Sequence, residues 1–169
     1  MRLLHWISNG DDSDSGSFSL VERVGYDIPP CIILSHTWGQ DEDEVTYKDI
    51  MKGRGREKPG YAKLIFARRK AEVFGLRYMW IETCSIDKSS SAELSEAINS
   101  MYKWYREATM CVVLMTDFTT AAPLSHNVPT GHDLYVHMSN GEIGFAMSRW
   151  CTRGWVCLSL EHPLLLAHR

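Results

Sequence analysis

Ser35, His36 and Trp38 close an apolar run, Cys31-Ile32-Ile33-Leu34. Four apolar residues in a row predict a strand buried on both faces, as in a parallel sheet. The polar side chains then stand at its C-terminal end, where open α/β sheets bind ligands. Glu82 leaves a second apolar run, Leu76–Ile81, at the same edge, and Asp87 follows in a short polar loop. Glu93 and Glu96 come next, in the first turns of a helix. A carboxylate there can act as acid or base. It can equally satisfy the helix cap and the dipole. His36 and Trp38 have plain uses too, as a hydrogen-bonded structural histidine and a packing aromatic.

The elements that position these residues follow from pattern. Tyr61, Leu64, Ile65, Ala71 and Phe74 recur at helical spacing, and Gly75 stands where a C-terminal cap belongs. Strand, helix and strand over this length make a βαβ unit with a parallel crossover. Ser90-Ser91-Ala92-Glu93 fits a capping box. Leu94, Ala97, Ile98, Met101, Trp104 and Ala108 form the apolar stripe of the helix that it opens. Met110–Met115 is a third buried strand. Two successive crossovers predict an α/β fold, a doubly wound, mostly parallel sheet with flanking helices in three layers.

Other stretches carry less. Residues 8–19 (SNGDDSDSGSFS) read as a surface loop, so 1–27 form an N-terminal segment and loop. Gln40–Glu44 reads as a solvated acidic loop, and Val45–Met51 as a short strand or a turn of helix. Arg68, Arg69 and Lys70 read as a solvated face. Residues 119–147 read as a long loop. The tail, 156–169, shows no clear amphipathic period, so the C-terminal part is expected to be truncated or irregular.

Composition excludes several classes. A formal charge of -3 supplies no polycation for nucleic acid. No apolar run reaches the roughly 18 residues that span a bilayer. The opening Met-Arg-Leu-Leu-His-Trp-Ile is too short for a signal-peptide core, so the protein reads as soluble and cytoplasmic. The five cysteines form no C-x-x-C pair and read as reduced, mostly buried thiols. No Cys or carboxylate pattern joins His126, His132 and His137, so no metal site is assigned.

Several separated pieces resemble the fungal heterokaryon-incompatibility domain, in the right order. They are IILSHTWG (32–39), EVTY (44–47), residues 60–71, Tyr78–Tyr105 and SRWCTRGW (148–155). They assign the domain to residues 28–155 and leave 156–169 as a divergent tail. The resemblance implies a fungal protein of non-self recognition and programmed cell death, acting through protein partners or self-association. It also brings a distant similarity to TIR domains, which have a flavodoxin-like sheet. Some TIR domains hydrolyse NAD with a glutamate. By that similarity a nucleotide would lie near Ser35, His36, Trp38, Glu82, Asp87 and Arg153. Glu93 or Glu96 would supply the carboxylate, with NAD as substrate and no required cofactor.

The chain also departs from the pattern. It has Glu82-Thr83-Cys84-Ser85 where the family usually has Asp-Thr-Cys-Cys. If Trp155 aligns with the Trp of the TIR segment Trp-Cys-Leu-x-Glu-Leu, the catalytic glutamate position falls on Ser159. Serine supplies no carboxylate for an oxocarbenium-like transition state. Val156-Cys157 can be encoded by GTATGT, a common fungal intron start, which would make the tail translated intron. The first reading is therefore a truncated or degenerate copy that keeps fold and partner surface. An active NAD glycohydrolase and a non-catalytic interaction scaffold stand as alternatives.

Overall fold

The computed structural model describes residues 1–8, 10, 15–23, 27–115, 149–150 and 164–168. The strands are β1 (Arg2–Ser8), β2 (Gly16–Glu22), β3 (Cys31–His36), β4 (Tyr78–Trp80), β5 (Met110–Met115) and β6 (Leu164–His168). The helices are α1 (Tyr47–Met51), α2 (Tyr61–Val73), α3 (Glu82–Ser85) and α4 (Ser91–Glu107). One sheet holds all six strands in the order β2-β1-β4-β3-β5-β6. β3 pairs in parallel with β4 on one side and with β5 on the other. β3 therefore has a parallel neighbour on each side.

Alternation along the central strands sends side chains to two cores. Cys31 and Ile33 of β3 join Cys111, Val113 and Met115 of β5 beneath Ala97, Met101 and Tyr105 of α4. Ile32 and Leu34 join Val112 and Leu114 against Leu64, Ala67 and Ala71 of α2. Both faces of β3 are covered, which is why its apolar run is continuous rather than alternating. The α/β class therefore holds.

α2 ends as its sequence predicts. Gly75 has φ 68°, the left-handed region that suits glycine. The Leu76 N–H donates to the Ala71 carbonyl at 2.8 Å, and that of Gly75 to Glu72 at 3.0 Å. These two bonds make a Schellman stop. At the other end Gly60 is required by space, because a Cβ there would lie 2.5 Å from the Asp43 carbonyl oxygen.

The structure corrects several expectations. Residues 8–19 are not a surface loop throughout. Ser8 ends β1 and Gly16 begins β2, and the two strands pair antiparallel from Arg2↔Glu22 to Ser8↔Gly16. β1 also pairs antiparallel with β4 through Leu4↔Met79 and His5↔Tyr78, so the sheet is mixed. The polar run between the strands hid them, since each carries only a few apolar positions. The tail is not irregular throughout: Leu164–His168 adds a strand parallel to β5.

Side-chain placement differs as well. Arg68 is buried, not solvated: its guanidinium lies 4.4 Å from the Trp6 ring centroid and its Nε donates to Glu72 at 2.8 Å. Glu44 leaves the acidic run and is buried. On α4, Ile98 is exposed and Tyr105 is buried, so the stripe runs 97, 101, 105. Val45–Met51 resolves as helix α1, capped by Thr46 and Asp49 in a reciprocal box. The long loop of 119–147, its three histidines, and Cys151 and Cys157 lie outside the described residues.

Candidate functional site

The loops that follow β3 and β4 leave the sheet at one edge. Between them opens a cavity of about 360 Å³. Trp38, Asp41, Glu44, Thr46, Tyr47 and Lys48 line it from the first segment; Thr83, Ile86, Asp87, Lys88 and Ser89 line it from the second. This is the edge of the sheet at which the parallel-sheet rule looks for ligands.

The first wall is built from buried charge. The Glu44 carboxylate accepts the Gly39 amide at 2.6 Å and is ion-paired with Lys63 of α2. Lys63 also donates to the Thr37 carbonyl at 3.0 Å. Burial alone would raise the Glu44 carboxyl. The bonds from Lys63 and Gly39, with the charges of Lys63 and His36, outweigh it and hold the group below the usual carboxylate range. Asp49 repeats the pattern: against the burial that opposes it, Lys58 and Thr46 keep its carboxyl far below normal. Lys58 donates to both Asp49 Oδ2, at 2.8 Å, and the Glu44 carbonyl, at 2.9 Å. This scaffold ties together the segment from Trp38 to the start of α1 at Tyr47.

The second wall is short and polar. The Lys88 ammonium lies 3.5 Å from the Trp38 ring centroid and 3.3 Å from Glu82 Oε1. Asp87 Oδ1 accepts the Ser89 hydroxyl at 2.6 Å and the Ser89 amide at 3.0 Å, which lowers its pKa. The Asp87 amide donates to Glu93 Oε1 at 2.7 Å. The Ser90 hydroxyl caps α4 by accepting the Glu93 amide at 3.3 Å. Only this half of the expected capping box forms. The Glu93 carboxylate reaches past Ser90 to Asp87 and outward to Arg2, which grips both its oxygens, Nη2 to Oε2 at 2.8 Å. That grip, with the Asp87 amide, holds the Glu93 carboxyl below its usual range despite partial burial.

The residues expected at the site thus divide. Trp38 and Asp87 line the cavity, and Glu82 reaches it through Lys88. Ser35 and His36 are buried at the end of β3 behind it, where the Ser35 hydroxyl accepts the Trp150 indole N–H at 2.9 Å. Glu93 stands behind the second wall, bound to Arg2 and Asp87. Glu96 is exposed one turn further along α4. Arg153 and Ser159 lie outside the described residues. Sequence reasoning missed Tyr47, Lys88 and Arg2. The EVTY motif that contains Tyr47 and the Tyr78–Tyr105 stretch that contains Lys88 were the available signals for those two; nothing local marks Arg2.

The arrangement offers two aromatic faces, Trp38 and Tyr47, each already met by a cation, with acidic and basic groups between them. Such a cleft can stack a planar ring and pair with charged substituents. Cys84 is no nucleophile for it. Burial pushes its thiol up to about 12, and its Sγ donates to the Val45 carbonyl at 3.1 Å. Among the described residues no cluster of three His, Cys, Asp or Glu side chains could hold a metal ion.

A family model described as "Heterokaryon incompatibility protein (HET)" matches residues 32–157. The span begins in β3 and includes both walls of the cleft. The chain is also 44% identical over 136 residues to the "Vegetative incompatibility protein HET-E-1" of Podospora anserina, a match that covers 80% of this chain and 9% of that protein. No solved structure matches the chain. With well over half its length matched and this identity to a curated member, the chain belongs to the heterokaryon incompatibility (HET) family.

Proposed function

We propose that this chain acts as a HET domain in vegetative incompatibility, the fungal non-self response that ends in programmed cell death. The 44% identity to HET-E-1 carries the reading. Because the chain spans about a tenth of that protein's length, the larger protein's partners and trigger do not transfer with it. The domain works in the cytoplasm through protein partners or self-association, without nucleic acid. Among the described residues no helix is long and apolar enough to cross a membrane. Expression in a fungal host tests the proposal: induced chain arrests growth and kills cells, whereas normal growth at confirmed expression refutes it.

A second reading is favoured by the cleft itself. The order β4-β3-β5, with helices over both faces, supports a doubly wound, flavodoxin-like and TIR-like core. A cleft with two aromatic faces at the C-terminal strand edge then suits a nucleotide such as NAD. Hydrolysis would break the nicotinamide–ribose C–N bond and add water at the ribose carbon, releasing nicotinamide, ADP-ribose and a proton. Glu93, ionised against Arg2 and bound to the Asp87 amide, and Glu96, exposed one turn further along α4, are the two carboxylates that the reading offers for this task. Incubation of purified chain with NAD tests it. Release of nicotinamide, lost in Glu93→Gln or in Glu96→Gln, supports the reading, and no turnover at high enzyme concentration rejects it.

A further inference from the structure

Arg2 lies on β1, outside the span matched by the family model. It nevertheless reaches both walls of the cleft, the first directly and the second through Glu93. Its guanidinium sits 4.8 Å from the centroid of the Tyr47 ring, which lines the first wall. Its two terminal nitrogens grip the Glu93 carboxylate. The oxygen nearer Nη1 also accepts the Asp87 amide, which belongs to the second wall. One cation therefore joins Tyr47, Glu93 and Asp87, across 91 positions of sequence between Arg2 and Glu93.

We infer that Arg2 is a positioning residue of the cleft, setting the separation of the Tyr47 wall and the Asp87–Ser89 wall from a strand outside the matched span. The chemistry supports the choice of residue. A guanidinium is planar, so it can stack on a ring while its edge forks a carboxylate; an ammonium offers one point charge and no such edge. The pair is largely withdrawn from water, with Arg2 and Glu93 side chains 22% and 26% exposed. β1 is itself held firmly, by its antiparallel register with β2 and β4. The clamp is thus anchored to the sheet rather than to a loop. The inference rests on the proposal that this cleft is the binding site, but its geometry can be tested separately.

The experiment compares wild type, Arg2→Lys and Arg2→Ala by amide exchange and ring NMR, with NAD titrated as the probe ligand. In Arg2→Ala the Asp87 amide exchanges about tenfold faster, the loss expected for one charge-assisted bond. The Tyr47 ring signals move in the same variant. In Arg2→Lys the Tyr47 signals stay near wild type, because a cation still faces the ring, while Asp87 protection falls. Amides of Val112 and Val113 keep their wild-type exchange in both. If Arg2→Ala does not fold, Arg2→Lys alone decides, through its split response. Unchanged Asp87 exchange in a folded variant overturns the inference, as does a response of only one wall in Arg2→Ala. Wild type that binds NAD about tenfold more tightly than Arg2→Ala ties the clamp to ligand. Wild type that fails to bind NAD, with both walls still responding in Arg2→Ala, keeps the clamp and removes the nucleotide reading.

Discussion

Glu44 and Lys63 form an ion pair whose side chains are only 7% and 14% exposed, and it fastens the loop after β3 to helix α2. Removing one partner leaves a charge in a place water barely reaches. Lys63→Met should therefore destabilise the domain by about 3–5 kcal/mol. It also takes the donor from the Thr37 carbonyl. The double variant Lys63→Met/Glu44→Gln should recover part of the loss, since a neutral amide can still accept from Gly39. Denaturant unfolding of the three proteins measures both effects; equal stability of wild type and Lys63→Met would contradict them.

Acid should open the cleft before it melts the rest. The Glu44, Asp49 and Glu93 carboxyls all titrate below their unfolded values of about 4 in the folded chain. A depressed pKa stabilises the fold above the unfolded value, and that contribution fades as pH falls through the folded one. Stability should be flat near neutrality and decline as pH falls below about 4. Arg2→Lys and Lys63→Met should each flatten the decline. Thermal melts across pH 2–7 would show it, and a loss confined to neutral or alkaline pH would not fit.

The three described cysteines should be silent at neutral pH. Burial raises the Cys31 thiol to about 11 and the Cys84 thiol to about 12. Cys111 is buried as well. Thiolate is the reactive form, so alkylation at pH 7 should leave peptides with these residues unlabelled until denaturant is added. Peptide mapping after a timed alkylation reads this directly.

Lys88 covers one face of Trp38, and its removal should change the cleft more than the fold. The Lys88 side chain is 37% exposed, and Lys88→Ala should shift stability by less than about 1 kcal/mol. It should take the ammonium from the Trp38 ring. Indole fluorescence should respond, and the response should be absent in a Trp38→Phe background, which removes the Trp38 contribution from that of the six tryptophans. A stability loss above 2 kcal/mol would show that Lys88 holds the loop instead.

What the sequence made legible was whatever had a period or a cap. The runs at Cys31–Leu34 and Met110–Met115 announced central strands, and Gly75 and Ser90 marked the end of α2 and the start of α4. Burial of charge was not legible. Glu44 and Arg68 look solvent-facing in sequence because their partners, Lys63 and Trp6, lie on other elements. Ile98 and Tyr105 exchanged roles because both fit a helical stripe and only the packing under Trp80 and Trp150 selects one. The edge that holds Trp38, Glu82 and Asp87 was readable from strand direction. The clamp by Arg2 was not, since a polar run stood between β1 and every other predicted element.

The antiparallel seam between β1 and β4 also orders events during synthesis. β1 and β2 leave the ribosome first and can pair with each other at once. The partner that closes the inner edge of β1, Tyr78 and Met79, emerges only after α2 has been made. Until then a strand containing Leu3, Leu4 and Trp6 presents open backbone valences to solvent, a template for pairing with another nascent chain. Slowing translation between residues 23 and 77 would lengthen that exposure and should lower soluble yield, while a chaperone that shields strand edges should restore it.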